Sequence, residues 1–274
     1  MIPHPFDFAD RVAVVTGGSG ILGGAIARAL GEAGAFVWVV GRSRPEKAEM
    51  TAQDIRNQGG NAEAVLADVL DRTALQTLAD RIFQRHGRLD FLVNAAGGTN
   101  KEATTSPERS FFDLPEKAVR HVFDLNLQGT FLPCQVLGRQ MAEKRQGAIL
   151  NLSSYGAIHP LTRSAAYSAG KAAVTNFTQW LAVHLAQEYS PQLRVNALVP
   201  GFFLTEQNRF LLTDEGTGAL TERGQRIMTH TPAGRFGEPA DLIGPALWLL
   251  SDTARFVTGT TLVVDGGMSA FGGV

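Results

Sequence analysis

Residues 12–23 read VAVVTGGSGILG. The first part is a continuous apolar run rather than an alternating one, which is typical of a strand covered by helices on both faces. Gly18, Gly20 and Gly23 follow in the spacing G-x-G-x-x-G and open a helical pattern at Leu22. Glycines there permit a tight turn, and the helix N-terminus presents unpaired N–H groups to a pyrophosphate. The stretch therefore predicts a strand–turn–helix unit that binds a dinucleotide.

Short β-branched apolar runs alternate with amphipathic stretches along the whole chain. We expect about seven strands, at residues 11–16, 36–41, 62–66, 89–94, 148–152, 194–198 and 261–264. Helices are expected between them, among them 22–32, 45–57 and 73–86, each followed by a glycine that can end it in the left-handed conformation. This order predicts an α/β fold with a doubly wound parallel sheet of Rossmann type. No linker or repeat divides the chain, so residues 1–274 are expected to form a single domain.

Two connections are longer than a crossover needs. Residues 97–115 follow the fourth expected strand, and residues 201–237 follow the sixth. Both leave the carboxyl ends of their strands, where open α/β sheets bind ligands. We therefore expect these two loops to recognise the substrate.

The composition narrows the functional classes. Lys and Arg number 25 and Asp and Glu 26, so a formal charge of −1 gives no attraction to nucleic acid or anionic membranes. Cys134 is the only cysteine, so one chain can build neither a disulfide nor a cysteine zinc site, and a reducing compartment fits best. The N-terminus lacks a signal-peptide pattern, and no segment approaches the ~18 apolar residues of a spanning helix. We expect a cytoplasmic protein that binds a small molecule.

Three other kinds of site find no support in the sequence. Gly170-Lys171 is followed by alanine, and no G-x-x-x-x-G-K-[ST] motif occurs, which excludes a P-loop. Residues 17–21 end in isoleucine where a nucleophile elbow requires glycine, which argues against a serine hydrolase. The six histidines are scattered and form no H-E-x-x-H pattern, so we assign no metal.

The second expected strand ends at Gly41-Arg42, about twenty residues beyond the glycine turn. An acidic residue there would bind the adenosine ribose hydroxyls of NAD, whereas an arginine can accept the 2′-phosphate of NADP. We therefore expect NADP to be favoured over NAD. The alternative is that Arg42 is an exposed residue that leads into the next helix without a ligand.

Tyr167 and Lys171 are spaced i,i+4, so on a helix they stand one turn apart on the same face. A neighbouring ammonium favours an ionised phenol, and we expect it to lower the pKa of Tyr167 from its ordinary value of about 10. Ser154 follows the fifth expected strand and can donate a hydrogen bond to a carbonyl oxygen. A lone Tyr-x-x-x-Lys pair also fits a surface aromatic beside a solvated lysine, so its meaning depends on the motifs around it.

Several short motifs occur in a characteristic order. They are Thr16-Gly17 with Gly23, Asn94-Ala95-Ala96-Gly97, Asn126, Ser153-Ser154, Tyr167-x-x-x-Lys171 and Pro200-Gly201. With these motifs the chain resembles the short-chain dehydrogenase/reductase family over nearly its whole length. The resemblance implies an NAD(P)-dependent oxidoreductase that moves a hydride between nicotinamide and a carbonyl or alcohol carbon.

The resemblance also implies a role for each catalytic side chain. Tyr167 matches the general acid/base, and Ser154 matches the residue that polarises and orients the substrate oxygen. Lys171 matches the group that tunes Tyr167 and binds the nicotinamide ribose. Asn126 matches the member that holds a water in the proton relay.

Cofactor contacts are implied at the matching positions. Asp68 resembles the adenine contact, Asn94 the sheet-end stabiliser and Thr205 the residue near the nicotinamide carboxamide. One departure is Ile21, which stands where the family has glycine, so we expect a slightly rearranged phosphate loop. The full set is Gly17, Gly20, Ile21, Leu22, Gly23, Arg42, Asp68, Val69, Asn94, Ala95, Tyr167, Lys171, Pro200, Gly201 and Thr205.

A narrower resemblance concerns the substrate. Residues 200–209, PGFFLTEQNR, and residues 160–163, PLTR, resemble the mannonate to fructuronate oxidoreductases, which act on sugar acids. A sugar acid needs a cation for its carboxylate, and Arg163 is suited to bidentate binding. Further expected contacts on the two long loops are Asn100, Lys101, Gln207 and Asn208, with Arg209 beside them. Each of these residues also fits an ordinary solvated loop position.

Two alternative functions and one oligomeric state are also predicted. A 3-oxoacyl thioester reductase would use the same catalytic group on a longer, more apolar substrate. A non-catalytic NADP-binding sensor or scaffold would keep the fold without turnover. The family resemblance implies a homotetramer, and the helix expected from Ala165 carries more apolar surface than one sheet needs, at Val174, Phe177, Trp180 and Leu181.

Overall fold

The computed structural model describes residues 6–205, 209–214 and 216–273. Its strands are β1 Val12–Thr16, β2 Phe36–Gly41, β3 Asn61–Leu66, β4 Phe91–Asn94, β5 Gly147–Leu152, β6 Leu193–Pro200 and β7 Thr261–Val264. Its α-helices are α1 Ile21–Glu32, α2 Pro45–Asn57, α3 Arg72–His86, α4 Glu116–Val136, α5 Gly138–Lys144, α6 Ala165–Glu188, α7 Arg209–Leu212, α8 Glu222–Thr229 and α9 Ile243–Leu250.

The strands form one parallel sheet in the order β3-β2-β1-β4-β5-β6-β7. The predicted single-domain, doubly wound α/β fold is confirmed. The ends of every expected strand lie within two residues of the ends observed. The strand order reverses at β1 and β4, which are neighbours. The connections after these two strands therefore run to opposite sides and leave a crevice at their carboxyl ends. Gly17 and Ala95 lie at that crevice.

Both faces of the sheet are buried, which explains the unbroken apolar runs. Along β1, Ala13 and Val15 face one layer of helices, whereas Val12 and Val14 face the other, because successive side chains of a strand alternate. The first layer is built by α1, α2 and α9, and the second by α3, α4, α5 and α6. Fully burying an aliphatic side chain of this size contributes roughly 1.5–3 kcal/mol.

Local sequence signals set the bounds of α3. The Asp71 carboxylate accepts the N–H groups of Thr73 at 2.8 Å and Ala74 at 3.2 Å, which caps the first turn. Gly87 ends the helix with a φ of 64°, a left-handed conformation that costs glycine least. The predicted glycine stop is confirmed here.

A buried arginine joins β6 to the end of α9. The Arg194 guanidinium donates to the carbonyl groups of Leu249, Val257, Leu250 and Ser251 at 2.6, 3.4, 3.1 and 3.1 Å. It is 7 % exposed, and burial lowers its pKa while Asp252 opposes that shift. The arginine thus satisfies carbonyls that a helix C-terminus leaves without intrahelical donors.

Replacing Arg194 with Met is expected to lower the free energy of unfolding by about 3–5 kcal/mol, because several buried carbonyls lose charge-assisted bonds at once. Urea unfolding measures this change. Arg120→Met is the matched control, since Arg120 is exposed and its ion pair within the described residues is with Glu116 on its own helix. A loss below about 1 kcal/mol for Arg194→Met would show that water replaces these bonds freely.

The single cysteine is a packing residue. Cys134 is buried, burial raises the pKa of its thiol to about 12, and the Asn94 amide donates to its sulfur at 3.2 Å.

Within residues 6–205, 209–214 and 216–273, no three His, Cys, Asp or Glu side chains are grouped as a metal ion would require. In the same residues, no helix combines the length and apolar character needed to cross a bilayer.

Candidate active site

The turn after β1 is packed so tightly that two positions require glycine. Gly17 has a φ of 65°, and a Cβ atom there would lie 2.7 Å from the carbonyl carbon of Ala95. A Cβ atom on Gly23 would lie 2.4 Å from the carbonyl oxygen of Gly17. Gly20 closes the turn, because its N–H donates to that same oxygen at 2.9 Å. The strand, the turn and α1 therefore approach one another backbone to backbone.

The N-terminus of α1 is left uncapped beside this turn. Gly20 is the N-cap residue, no side chain caps the helix, and the first turn carries no acidic residue. The first N–H groups of a helix, here those of Ile21, Leu22 and Gly23, have no acceptor within the helix. This cradle fits the pyrophosphate of a dinucleotide. Ile21, 37 % exposed, starts the helix directly after Gly20.

The carboxyl end of β2 carries no carboxylate. A Cβ atom on Gly41 would lie 3.3 Å from the Ser19 hydroxyl, so this strand end adjoins the glycine turn. Arg42 is exposed and forms no hydrogen bond or ion pair with the described residues. After β3, the Asp68 carboxylate accepts the N–H of Leu70 at 2.9 Å and fixes the local turn. These residues can receive the adenosine half of a dinucleotide.

The end of β5 and the start of α6 are fastened together by hydrogen bonds. The Ser153 hydroxyl donates to the carbonyl of Lys171 at 3.0 Å, and the Lys171 ammonium donates to the carbonyl of Leu152 at 2.6 Å. The Lys171 nitrogen lies 5.9 Å from the centre of the Tyr167 ring. The Ser154 hydroxyl lies beside the Tyr167 phenol. The structure thus brings together the three side chains that the sequence singled out.

Burial dominates the acid–base properties of this cluster. It lowers the pKa of Lys171 to about 8, and the lysine is only 4 % exposed. Burial also raises the pKa of the Tyr167 phenol, and the neighbouring Ser154 hydroxyl only partly offsets that rise. The expectation that Lys171 lowers the phenol pKa is therefore wrong for the groups of the chain itself. The reason is desolvation of both groups: Lys171 loses its proton near pH 8, before the phenol with its raised pKa ionises, so no ammonium is left to stabilise the phenolate.

Asn126 holds the loop after β4 against α4. Its amide nitrogen donates to the carbonyls of Gly98 and Val122 at 2.7 Å each, and its amide oxygen accepts the N–H of Gly98 at 3.1 Å. A Cβ atom on Gly97 would lie 2.8 Å from that oxygen and 3.0 Å from the Lys171 nitrogen. Asn126 therefore borders the lysine, but both amide hydrogens are used within the protein. Its water-holding role stays a prediction, because its backbone carbonyl also accepts a hydrogen bond within the protein, from the Thr130 hydroxyl at 2.9 Å.

Asn94 lies at the end of β4 within a buried polar chain. Its amide nitrogen donates to Asn151 at 2.9 Å, and the Asn151 amide donates to the Thr178 hydroxyl at 2.9 Å. These bonds connect β4, β5 and α6 below the cluster of Ser154, Tyr167 and Lys171. Asn94 is placed to stabilise the sheet end, whereas Ala95 borders the crevice through its contact with Gly17.

The end of β6 comes close to the end of β7. The Gly201 N–H donates to the carbonyl of Val264 at 2.9 Å, and a Cβ atom on Gly201 would lie 2.7 Å from the Cα atom of Asp265. Pro200 is buried as the last residue of β6. Thr205 is partly buried, and its carbonyl accepts the N–H of Arg209 at 3.0 Å, which leads into α7.

The expected substrate residues have different surroundings. Arg163 is exposed, and its carbonyl accepts the N–H of Thr105 at 3.0 Å, which ties the loop 97–115 to the catalytic segment. The Asn100 amide oxygen accepts the N–H of Ala103 at 2.8 Å and so closes a turn of its own loop. Lys101 is exposed, and its carbonyl accepts a bond from the Arg109 guanidinium at 2.7 Å. Gln207 and Asn208 lie outside the described residues.

One nearby side chain was not singled out from the sequence. The Arg223 guanidinium, at the start of α8, donates to the Thr162 hydroxyl at 3.0 Å. The only local signal is Thr221, which caps α8 by accepting the N–H of Gly224 at 3.1 Å. That signal predicts a helix start, but not a contact across 61 residues.

The known proteins that resemble this chain are described as reductases, oxidoreductases or dehydrogenases. A family model described as enoyl-(acyl carrier protein) reductase matches residues 17–269. An uncharacterised oxidoreductase of Bacillus subtilis, UxuB, is 44% identical over 283 residues, which cover 100% of both chains.

Two solved structures are similar over nearly the whole chain. One is a Haemophilus influenzae protein with bound NAD, provisionally named a D-mannonate oxidoreductase, with a TM-score of 0.92, 38% identity and 98% of each chain covered. The other, from Beutenbergia cavernae and with bound NADP at low occupancy, is provisionally named an NAD(P)-dependent gluconate 5-dehydrogenase. Its TM-score is 0.85, with 34% identity over 98% of this chain and 100% of that one. The chain belongs to the short-chain dehydrogenase/reductase family and is an NAD(P)-dependent oxidoreductase.

Proposed function

We propose that this enzyme interconverts a ketone and a secondary alcohol on a sugar acid of the D-fructuronate/D-mannonate type. One observation carries the proposal: Arg163 lies on the segment between Ser154 and Tyr167, and no carboxylate of the described residues lies within 4.0 Å of its guanidinium. An unpaired arginine beside a reducing site suits a substrate whose carboxylate is a few carbons from its ketone. The relatives provisionally named for mannonate and gluconate support the same substrate class.

The residues of the chain divide the reduction between them. When bound, the reduced nicotinamide supplies a hydride, two electrons and a proton, to the carbonyl carbon. Ser154 donates a hydrogen bond to the carbonyl oxygen as negative charge develops. Tyr167 transfers its phenolic proton to that oxygen, which completes the secondary alcohol. Because its pKa is raised, the phenol holds this proton at neutral pH. Lys171 holds the nicotinamide ribose and supplies the positive charge beside the phenol.

The reductive kcat/KM for NADPH is expected to fall as pH rises through about 8. Lys171 loses its proton in that range, and with it the ammonium that binds the ribose. Tyr167 stays protonated there because its pKa is raised. kcat/KM reports groups of the free enzyme, so the profile should be measured at low cofactor concentration with saturating ketone. A profile that stays flat to about pH 10 would remove this role from Lys171.

We propose that NADP is favoured over NAD, with Arg42 binding the 2′-phosphate near the Ser19 hydroxyl. Arg42→Asp is expected to lower the ratio of kcat/KM for NADPH over NADH by about 10- to 100-fold, which is the worth of a charge-assisted hydrogen bond. Initial rates with both cofactors give this ratio. Arg255→Asp is the control, because Arg255 is exposed and its substitution changes the net charge by the same amount. An unchanged ratio in Arg42→Asp would contradict the assignment.

The substrate proposal is tested with a matched pair of ketones. D-Fructuronate and D-fructose differ in carrying a carboxylate or a hydroxymethyl group at the end away from the ketone. We expect the wild-type enzyme to prefer the acid by at least about 100-fold in kcat/KM, and Arg163→Gln to lose most of that preference through KM. Equal rates with the two ketones, or faster reduction of a 3-oxoacyl thioester, would contradict the proposal. No oxidation of NADPH or NADH with any ketone would instead favour a sensor or scaffold.

A homotetramer is proposed for the assembly. On α6, Trp180 and Val183 are each 56 % exposed, and the Trp180 ring stacks on His184 with centres 4.7 Å apart. β7 lies at the edge of the sheet and is only partly buried along its length. Both surfaces suit packing against other copies of the chain. Sedimentation that gives a monomer at working concentration would contradict this proposal.

A cytoplasmic location stays a prediction from the sequence.

A further inference from the structure

Arg223 is joined to the segment that carries the catalytic residues. Its Nη1 atom donates to the hydroxyl of Thr162, which precedes Arg163. The same segment is folded compactly, because the Leu161 N–H donates to the Ser168 hydroxyl at 3.0 Å. α8 therefore presents the Arg223 guanidinium to the stretch between Ser154 and Tyr167, although it is far away in sequence.

The surroundings of Arg223 leave its charge uncompensated. Burial lowers the pKa of Arg223, and the positive charge of Arg163 lowers it further, so the two guanidinium groups lie close enough to repel each other. No carboxylate of the described residues lies within 4.0 Å of either group. Arg226, on the same helix, shows the ordinary arrangement, since it is exposed and pairs with Glu222. A partly buried arginine beside a like charge is costly unless an anion joins them.

Glu108 does not compensate the charges of Arg163 and Arg223. The pKa of Glu108 is lowered mainly by the Ser106 hydroxyl, which donates to its carboxylate at 2.8 Å. The positive charge of Arg163 lowers that pKa to a smaller extent. Glu108 is exposed on the loop 97–115, and it forms no ion pair with Arg163 or Arg223 within the described residues. Among the described residues, no carboxylate pairs with either of the two arginines.

The hydrogen bonds of Arg223 show which edge of its guanidinium group has no acceptor among the described residues. Nη1 is used by Thr162, whereas Nε is buried and has no acceptor among the described residues. Nη2 makes no hydrogen bond with them either. Nε and Nη2 form one planar edge, which matches the two oxygens of a carboxylate. A buried donor left without an acceptor is destabilising, and a bound carboxylate would remove that penalty.

We propose that Arg223 is a specificity-determining residue that binds the substrate carboxylate jointly with Arg163. The inference rests on the proposed sugar-acid function and adds a second cation to it. Arg223 supplies a fixed bidentate edge, held in place by Thr162, and Arg163 supplies the second positive charge. The enzyme is thereby specific for ketones that carry a carboxylate, since a neutral ketose leaves both arginines unpaired.

The test compares Arg223→Gln with Arg226→Gln, a control on the same helix. The measured quantity is the ratio of kcat/KM for D-fructuronate over D-fructose. We expect Arg223→Gln to lower this ratio by 10- to 100-fold, mainly through KM for the acid, and Arg226→Gln to leave it within about threefold. Thr162→Val, which removes the acceptor of Nη1, is expected to lower the ratio by about three- to tenfold. It provides the test if Arg223→Gln does not fold, as judged by its thermal unfolding.

The outcomes separate the two proposals. A wild-type enzyme that prefers the acid, with an unchanged ratio in Arg223→Gln and Thr162→Val, overturns the role of Arg223 and leaves the sugar-acid function intact. A wild-type enzyme with no preference for the acid overturns both. A ratio that falls equally in Arg226→Gln also overturns the role of Arg223, because general surface charge would then explain the effect.

Discussion

Tyr167→Phe is expected to lower kcat for ketone reduction by about 10²- to 10⁴-fold, the usual contribution of a positioned general acid. The ring that packs beside Lys171 remains, and only the proton donor is lost. The phenol lies beside the Ser154 hydroxyl and shares one hydrogen bond with it, so its removal should lower the free energy of unfolding by only about 1 kcal/mol. Turnover, NADPH binding by fluorescence and thermal unfolding should be measured on the same preparation.

Tyr189→Phe is the matched control for this substitution. Tyr189 follows the end of α6 and is 43 % exposed, so removal of its hydroxyl should leave turnover unchanged. If Tyr167→Phe kept turnover within tenfold of wild type while Ser154→Ala abolished it, the acid would have to be sought elsewhere in the site.

Lys171→Met is expected to separate activity from stability. Turnover should fall by about 10²- to 10³-fold, because one preorganised charged donor is lost from the site. The folded protein should be as stable as wild type, or more stable by up to about 2 kcal/mol. Burial lowers the pKa of Lys171 from 10.5 to about 8, so the ammonium is held at a cost of roughly 3 kcal/mol. Loss of the bond to the Leu152 carbonyl offsets part of the gain.

The sign of this effect depends on pH. Below about pH 8 Lys171 is charged in both the folded and the unfolded state, and the full cost is present. Between about 8 and 10.5 the unfolded state binds more protons, so wild-type stability gains a positive contribution with rising pH. Lys171→Met lacks that contribution, and its advantage should shrink from pH 7 to pH 10. Urea unfolding at both pH values measures this, and a variant less stable than wild type by more than about 2 kcal/mol at pH 7 would contradict it.

The sequence is informative where one element decides the outcome. The continuous apolar run of β1 indicates a strand buried on both faces, and the glycines that follow indicate a tight turn in which backbone packs against backbone. The i,i+4 spacing places Tyr167 and Lys171 on one face of α6 without any tertiary information. These features depend on neighbours in the chain, so local pattern is enough to predict them.

The parts that the sequence missed depend on tertiary contacts. The raised pKa of Tyr167 follows from burial, which a Tyr-x-x-x-Lys pattern does not reveal. The amide of Asn126 is used by Gly98, which is brought to it only by the crossover between β4 and α4. The Arg223 guanidinium reaches the Thr162 hydroxyl although the two residues lie 61 positions apart in the chain. A charge left uncompensated in the folded chain is invisible in a composition that is nearly neutral overall.

A crystal structure of the wild-type enzyme with NADP and D-mannonate would show whether Ser154, Tyr167 and Lys171 act together on the substrate and the nicotinamide. We expect the Lys171 nitrogen within about 3.2 Å of a nicotinamide ribose hydroxyl, and the hydroxyls of Tyr167 and Ser154 within the same distance of one substrate oxygen. The carbon that bears this oxygen should lie about 3–3.5 Å from C4 of the nicotinamide. A phenol directed away from the substrate, or a lysine out of reach of the ribose, would contradict the account.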